Sequence, residues 1–249
     1  ILWFLVTSPS IVIILFILGI IFATQRFIKR ILNLDERNEN DLWKSDYEMF
    51  DIFCLFIIIL SFFVTIIFNI SQCGGWRHLY YIYPSVIFMA LYCIYRFKFI
   101  FKRVNISLII YFLILLNSLY LISWNFKYHP FQNIYFNLIS KKYAIDNFDL
   151  DYWGLSHKFA LEHIIKNSET FPIRVGTNSF SNLETAHLML AQNDKEKIMI
   201  VHDLNNADFI VTNYMKRIGK NFNIEENNFI KFYEILVENK PISTIFKKI

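Results

Sequence analysis

Charge is scarce in this chain of 249 residues: Asp, Glu, Lys and Arg make up 18% of it, beside 55% hydrophobic and 18% aromatic residues. A soluble domain carries about a quarter charged residues, and a disordered segment is poorer still in apolar ones, so disorder is excluded. Cysteine is scarce too. Cys54, Cys73 and Cys93 are odd in number and form no CxxC pair, which excludes a disulfide framework and a zinc site. Cys54 and Cys93 fall within apolar runs and Cys73 in a short loop, and they read as small hydrophobes. There is no internal repeat, low-complexity linker or coiled-coil pattern. Walker, GxGxxG, HExxH and GxSxG signatures are all missing. His157, His163, His187 and His202 lack metal-ligand spacing with carboxylates or thiols and read as surface or satisfied histidines. The net charge of +4 is too small a basic excess to point to nucleic acid.

The apolar residues are concentrated in one half. Residues 1–124 hold 10 Lys/Arg and 7 Asp/Glu, whereas 125–249 hold 15 and 14. The first half reads as lipid-embedded and the second as a water-soluble domain. Four stretches are candidate spans: Pro9–Thr24, extended upstream through Trp3, then Ile52–Ile70, Leu79–Tyr95 with Pro84 near its start, and Val104–Trp124. Segment 25–51 holds Arg26, Lys29, Arg30, Arg37 and Lys44, and segment 96–103 holds Arg96, Lys98, Lys102 and Arg103, whereas 71–78 holds only Arg77. Nine basic residues against one predict that the first two segments are cytoplasmic. The acidic residues Asp35, Glu36, Glu39, Asp41, Asp46, Glu48 and Asp51 do not alter this, because the rule counts Lys and Arg. Residues 71–78 and everything after Trp124 are then expected outside, in the periplasm of a bacterium or an organelle lumen. The chain opens without Met in the apolar run Ile1–Val6, with no basic segment or cleavage site, so this is no signal peptide. It reads as the C-terminal part of a longer membrane protein.

After Trp124 the periodicity changes. The pattern predicts helices over Leu155–Asn167 and Leu183–Gln192 and strands at Pro172–Gly176, Lys197–Val201 and Asp208–Val211. A hairpin of Phe232–Val237 and Ile242–Phe246 follows. The fold class expected is an α-helical polytopic membrane region of about four helices, 1–124, followed by a small α/β extracytoplasmic domain, 125–249.

Three clusters could carry chemistry. Gly74-Gly75-Trp76-Arg77-His78-Leu79-Tyr80-Tyr81 places an Arg and a His at the outer mouth of the third span. There a helix N-terminus favours an anion, Arg offers a bidentate fork and glycine permits close approach. The plainer reading, which composition alone favours, is an interfacial anchor with Arg77 snorkelling to headgroups. Asp149-Leu150-Asp151-Tyr152-Trp153-Gly154 offers two carboxylates amid aromatics, to accept hydrogen bonds from sugar hydroxyls or act as a base. The same residues equally suit a position ahead of a helix, supporting its N-terminus. His129–Asn137, polar and aromatic, is expected on the membrane surface beside the first cluster. The sequons at Asn69 and Asn105 are set aside, one abutting the membrane and the other cytoplasmic.

Taken in order, these segments resemble a known family. They are a membrane segment opening on Thr7-Ser8-Pro9 and containing Gly19, the loop Gly75–Pro84, then His129–Asn137 and Phe148–Ser156. Together they look like the C-terminal part of bacterial glycosyltransferase family 39-like proteins. Those are polytopic enzymes of the C-type membrane fold related to dolichyl-phosphate-mannose protein mannosyltransferases. Cys73-Gly74 departs from the bulkier or Asn-containing approach expected there. The resemblance implies a bacterial inner-membrane enzyme with a periplasmic domain. It would move a sugar from a polyprenyl-phosphate-linked donor to a glycan, lipid or protein acceptor. It implies that Trp76, Arg77, His78 and Tyr80 bind the donor and Asp149, Asp151, Tyr152 and Trp153 shape the sugar or acceptor side. The acidic residue that acts as base or metal partner belongs to a first outer loop upstream, no cofactor is specified, and metal assistance stays open. Two rivals are a non-catalytic membrane-anchored scaffold and a transporter or polymerase subunit for lipid-linked glycans.

Overall fold

The computed structural model describes residues 1–32, 42–43, 45–70, 75–101, 105–215 and 228–249. Arg37, Lys44, Lys102 and Arg103, on which the expected orientation partly rests, lie outside the described residues, as do Asp35, Glu36, Glu39, Asp41, Cys73 and Gly74. The chain forms two compact units, one of Ile1–Lys127 with Phe136–Lys141, the other of Tyr128–Tyr135 with Lys142–Ile249.

The first unit contains α1 (Leu2–Thr7), α2 (Ser10–Leu32), α3 (Asp46–Ile67), a 3-10 turn (Arg77–Ile82), α4 (Tyr83–Ile100) and α5 (Ile106–Lys127). Four segments, namely α2, α3, the turn with α4, and α5, are long and apolar enough to cross a membrane. A helix of 22 residues such as α3 spans about 33 Å, close to the roughly 30 Å of a hydrocarbon core. The first span does not extend upstream through Trp3. Pro9 has no N–H and biases the preceding residue away from helix, so Ser8 is extended (φ −82°, ψ 146°) and α1 is separate. The span gains its length downstream, through Arg26 to Leu32.

Ser45 caps α3 by accepting a hydrogen bond from the Glu48 amide at 3.4 Å, with Asp46 and Glu48 in the first turn favouring the helix dipole. The second span starts earlier than Ile52: Asp51 lies inside α3 and is buried, ion-paired with Arg26 of α2. Pro84 occupies the first turn of α4, where its missing N–H has no helical acceptor to lose. Close approach of α2 to α4 depends on small residues. A Cβ on Gly19 would overlap the Met89 carbonyl, and Ala23, Ser85, Ala90 and Cys93 are buried nearby in sequence on the same helices. Only 6% of the most apolar stretch of α5 is buried, so nearly all of that helix presents apolar side chains outward.

The second unit contains α6 (Lys141–Asn147), α7 (Leu155–Lys166), β1 (Ile173–Thr177), α8 (Leu183–Leu188), α9 (Gln192–Lys195), β2 (Ile198–Ile200), β3 (Phe209–Thr212), β4 (Phe229–Val237) and β5 (Lys240–Lys248). The sheet order is β2-β1-β3-β5-β4, with β1 parallel to both neighbours and β5 antiparallel to β3 and β4. One face packs Ile173, Val175, Ile198, Phe209, Val211 and Ile245 against Ala160, Leu161 and Ile164 of α7 and Leu183 and Ala186 of α8. The single helix expected over Leu183–Gln192 is two. Leu190 turns into the core and Ala191 is extended (φ −61°, ψ 150°), which ends α8 before α9 begins. The hairpin turn is shorter than expected, only Glu238-Asn239, both left-handed (φ 52° and 66°), as a two-residue turn between twisted strands requires. Because β2 and β3 flank β1 on opposite sides, the chain diverges at the carboxyl ends of β1 and β3. In parallel sheets the crevice at such a point is where ligands bind.

Candidate functional site

Residues 76–83 owe their arrangement to 3-10 periodicity. With three residues per turn, Trp76, Leu79 and Ile82 point inward and are buried, while Arg77, His78, Tyr80 and Tyr81 are exposed. The anchor is specific. Trp76 meets Phe4 edge to face at 5.0 Å and Tyr80 at 4.6 Å, and its indole N–H donates to Thr7 Oγ1 at 2.8 Å. Gly75 starts the segment in the left-handed region (φ +88°). Arg77 Nε donates to His78 Nε2 at 3.3 Å. Arg77, His78 and Tyr80 therefore share an outer surface, whereas Trp76 is built into the core and presents no face to a ligand. The two basic side chains also precede α4 by a full 3-10 segment, so the dipole of α4 does not act on them in its first turn.

The Asp149–Gly154 segment divides its residues in the same way. Asp151 is fully buried. Its Oδ1 accepts from the Leu155 amide at 3.0 Å, and its Oδ2 from the Ser156 amide at 3.0 Å and the Ser156 hydroxyl at 2.5 Å. It thus holds the N-terminus of α7, with three of its roughly four acceptor sites taken by the chain itself and the carboxylate closed off from solvent. Asp149 and Trp153 are exposed, and Tyr152 supports Trp153 edge to face at 5.1 Å. Gly154 is left-handed (φ +67°), and a Cβ there would come within 2.7 Å of Ser181 Cβ. Two cavities flank the segment. One of about 340 Å³ includes Asp149, Asp146, Lys240, Asn213 and Tyr214, with Lys240 Nζ 2.8 Å from Asp146. The other, about 450 Å³, includes Trp153, Lys158, Gln132, Asn133, Asn182 and Thr185 over apolar Pro130, Ala186 and Met189.

Beneath the segment lies a buried polar network that sequence reasoning missed. Asn213 donates from Nδ2 to the Asp151 carbonyl and to Ser181 Oγ, both at 2.7 Å, and its amide N–H donates to Ser179 Oγ at 2.9 Å. It ties the ends of β1 and β3 to the Asp151 turn. The available signal was a polar Thr212-Asn213 directly after the apolar run Phe209–Val211, with Thr212 closing the wholly buried β3. His157 corrects the expectation of a surface or satisfied histidine. It is fully buried on the stripe shared with Ala160, Leu161 and Ile164, and neither ring nitrogen has a hydrogen-bond partner among the described residues. Burial pushes its pKa down to about 4, opposed in part by the Asp151 charge.

Asn137, in the third cluster, is structural. Its Nδ2 donates to the carbonyls of Leu5 (2.6 Å) and Ser8 (2.8 Å) and its amide to that of Val6 (2.8 Å), satisfying the open end of α1. Among the described residues no three His, Cys, Asp or Glu side chains converge as a metal site. Compared with models of protein families, with curated proteins and with solved structures, the chain finds no match.

Proposed function

We propose that this chain works in an integral-membrane glycosyltransferase that moves a sugar from a polyprenyl-phosphate-linked donor to a glycan, lipid or protein acceptor. The reaction takes place on the outer face of a bacterial inner membrane, with the α/β unit in the periplasm. The observation that carries the reading is the outward-facing Arg77–His78 pair at the head of an apolar helix, anchored by Trp76, Leu79 and Ile82. When the bond between the sugar and the donor phosphate breaks, the leaving phosphate takes the electron pair and gains negative charge. A guanidinium already in place stabilises that charge more than it stabilises the bound donor, which lowers the barrier. The acceptor hydroxyl bonds to the anomeric carbon and gives up its proton; no residue of this chain is assigned as the base. Asp149, Tyr152 and Trp153 belong to the sugar or acceptor side, with Asp151 holding their turn.

The test is transfer from a polyprenyl-phosphate-linked sugar by membranes carrying the protein with Arg77→Ala or Arg77→Lys. The expected result is a loss of roughly 10²–10³ in turnover for Ala and a smaller loss for Lys, which keeps charge without the fork. Unchanged turnover and donor affinity in Arg77→Ala would overturn the proposal, as would labelling of Arg77→Cys from the cytosolic side alone.

A further inference from the structure

We infer that the cavity beside Trp153 is a saccharide-binding site, a subsite for one or two sugar rings within the α/β unit. The inference deepens the transferase reading and rests on it for the role of the ligand, but its own argument is chemical.

The position comes first. The cavity is lined from the start of α7, from Asn182 and Thr185 at the start of α8 and from the turn at residues 132–134. Since α7 runs directly into β1 and α8 follows it, this is the carboxyl end of β1, where the chain diverges. At about 450 Å³ the space falls within the range of small-ligand pockets.

The wall chemistry comes second. Trp153 lines the cavity and is 57% exposed, and covering the exposed part of its apolar ring would be favourable. Around it are amide and hydroxyl groups. Gln132 is engaged with His129 at 2.7 Å and Asn182 caps α8, but the side chains of Asn133 and Thr185 make no hydrogen bond among the described residues. Among the described residues no carboxylate lines the cavity, which disfavours a cation. Its one charge, Lys158, has Glu162 at 3.6 Å. A flat apolar platform ringed by neutral donors and acceptors matches a ligand whose C–H faces are apolar and whose edge is all hydroxyls.

The platform is also held in advance. Trp153 lies between buried Asp151, whose carbonyl accepts from the Gly154 amide at 3.1 Å and from Asn213, and left-handed Gly154, which turns the chain into α7. Little conformational freedom remains to be lost on binding.

The experiment uses the full chain in detergent micelles, with glucose, mannose, N-acetylglucosamine, maltose and cellobiose as probes, read by saturation-transfer NMR of the sugar ring protons. At least one probe is expected to give a saturable signal. Trp153→Ala should weaken it roughly tenfold and Trp153→Phe less. Asn133→Ala and Thr185→Val, both surface changes, should weaken it with the far-ultraviolet circular dichroism unchanged. No saturable signal from any probe, or binding that Trp153→Ala and Asn133→Ala both leave unaltered, would overturn the inference. The two readings fail separately. Transfer that depends on Arg77 without saccharide binding by the α/β unit removes this subsite alone. Saccharide binding with transfer indifferent to Arg77 removes the donor reading alone.

Discussion

Acidification tests the core of the α/β unit through one side chain. His157 is fully buried with unpartnered ring nitrogens, so the folded state keeps it neutral and its pKa falls from 6.5 to about 4. In the unfolded chain the imidazole returns to its ordinary value. Between the two values the unfolded state binds the proton and the folded state does not, so unfolding is favoured as the pH drops. The contribution is fully present above 6.5, is lost as the pH falls to about 4, and changes no further once both states are protonated. The 2.5-unit gap between those values, at 1.36 kcal/mol per unit, amounts to about 3 kcal/mol. This is a large share of the stability of a small domain. A carboxylate effect is separable from it by pH. The Arg174 guanidinium, hydrogen-bonded to Asp208, holds that carboxyl below 3.8, so its contribution is lost only in more acidic solution. Urea unfolding of the full chain in micelles between pH 7.5 and 4, in the wild type and in His157→Leu, measures the effect. The wild type should lose about 3 kcal/mol across this interval, and the variant should lose much less. Matching pH profiles for the two proteins, or an NMR titration of His157 centred near 6.5, would refute the reasoning.

Two further perturbations probe close contacts. Gly154→Ala adds a Cβ within 2.7 Å of Ser181 Cβ at a φ of +67°. It should cost about 2–4 kcal/mol by thermal unfolding; an unaltered melting point would contradict the geometry. In the helical unit, Asp51→Leu or Arg26→Leu alone leaves a charge with little water around it, since the Asp51 side chain is only 3% exposed. Each single change should destabilise by about 3–5 kcal/mol. The double change should be markedly milder than the sum. Additive losses in a double-mutant cycle would show that the pair is not coupled.

Much of the secondary structure was legible because it rests on local rules. The apolar runs of α2, α3 and α5, the stripe of α7 and the short runs of β2 and β3 repeat with periods that backbone geometry imposes on any segment hiding one face or all of it. The ends were less legible. Pro9 placed a break where apolar length alone implied continuity, and Leu190 split a helix because a core position drew it inward. For the candidate residues, type and neighbourhood could not say which way each side chain faced. Trp76 and Arg77 are adjacent, yet a 3-10 turn sends one to the core and the other to the surface. Asp149 and Asp151 looked equivalent until Asp151 proved to be bound to the first amides of α7.

What composition and periodicity determined by themselves was a chain with about four apolar helices, followed by the short strands and helices of a small α/β domain. Which segments hide an apolar face and satisfy their backbone locally follows from residue order. What only the tertiary structure decided was which polar groups meet. Asn213 reaches Asp151 across 62 residues of sequence, and Arg26 reaches Asp51 across 25. Such bonds depend on how strands and helices stack in space. Each polar group must find its partner wherever packing happens to bring one, and no local pattern encodes that distance.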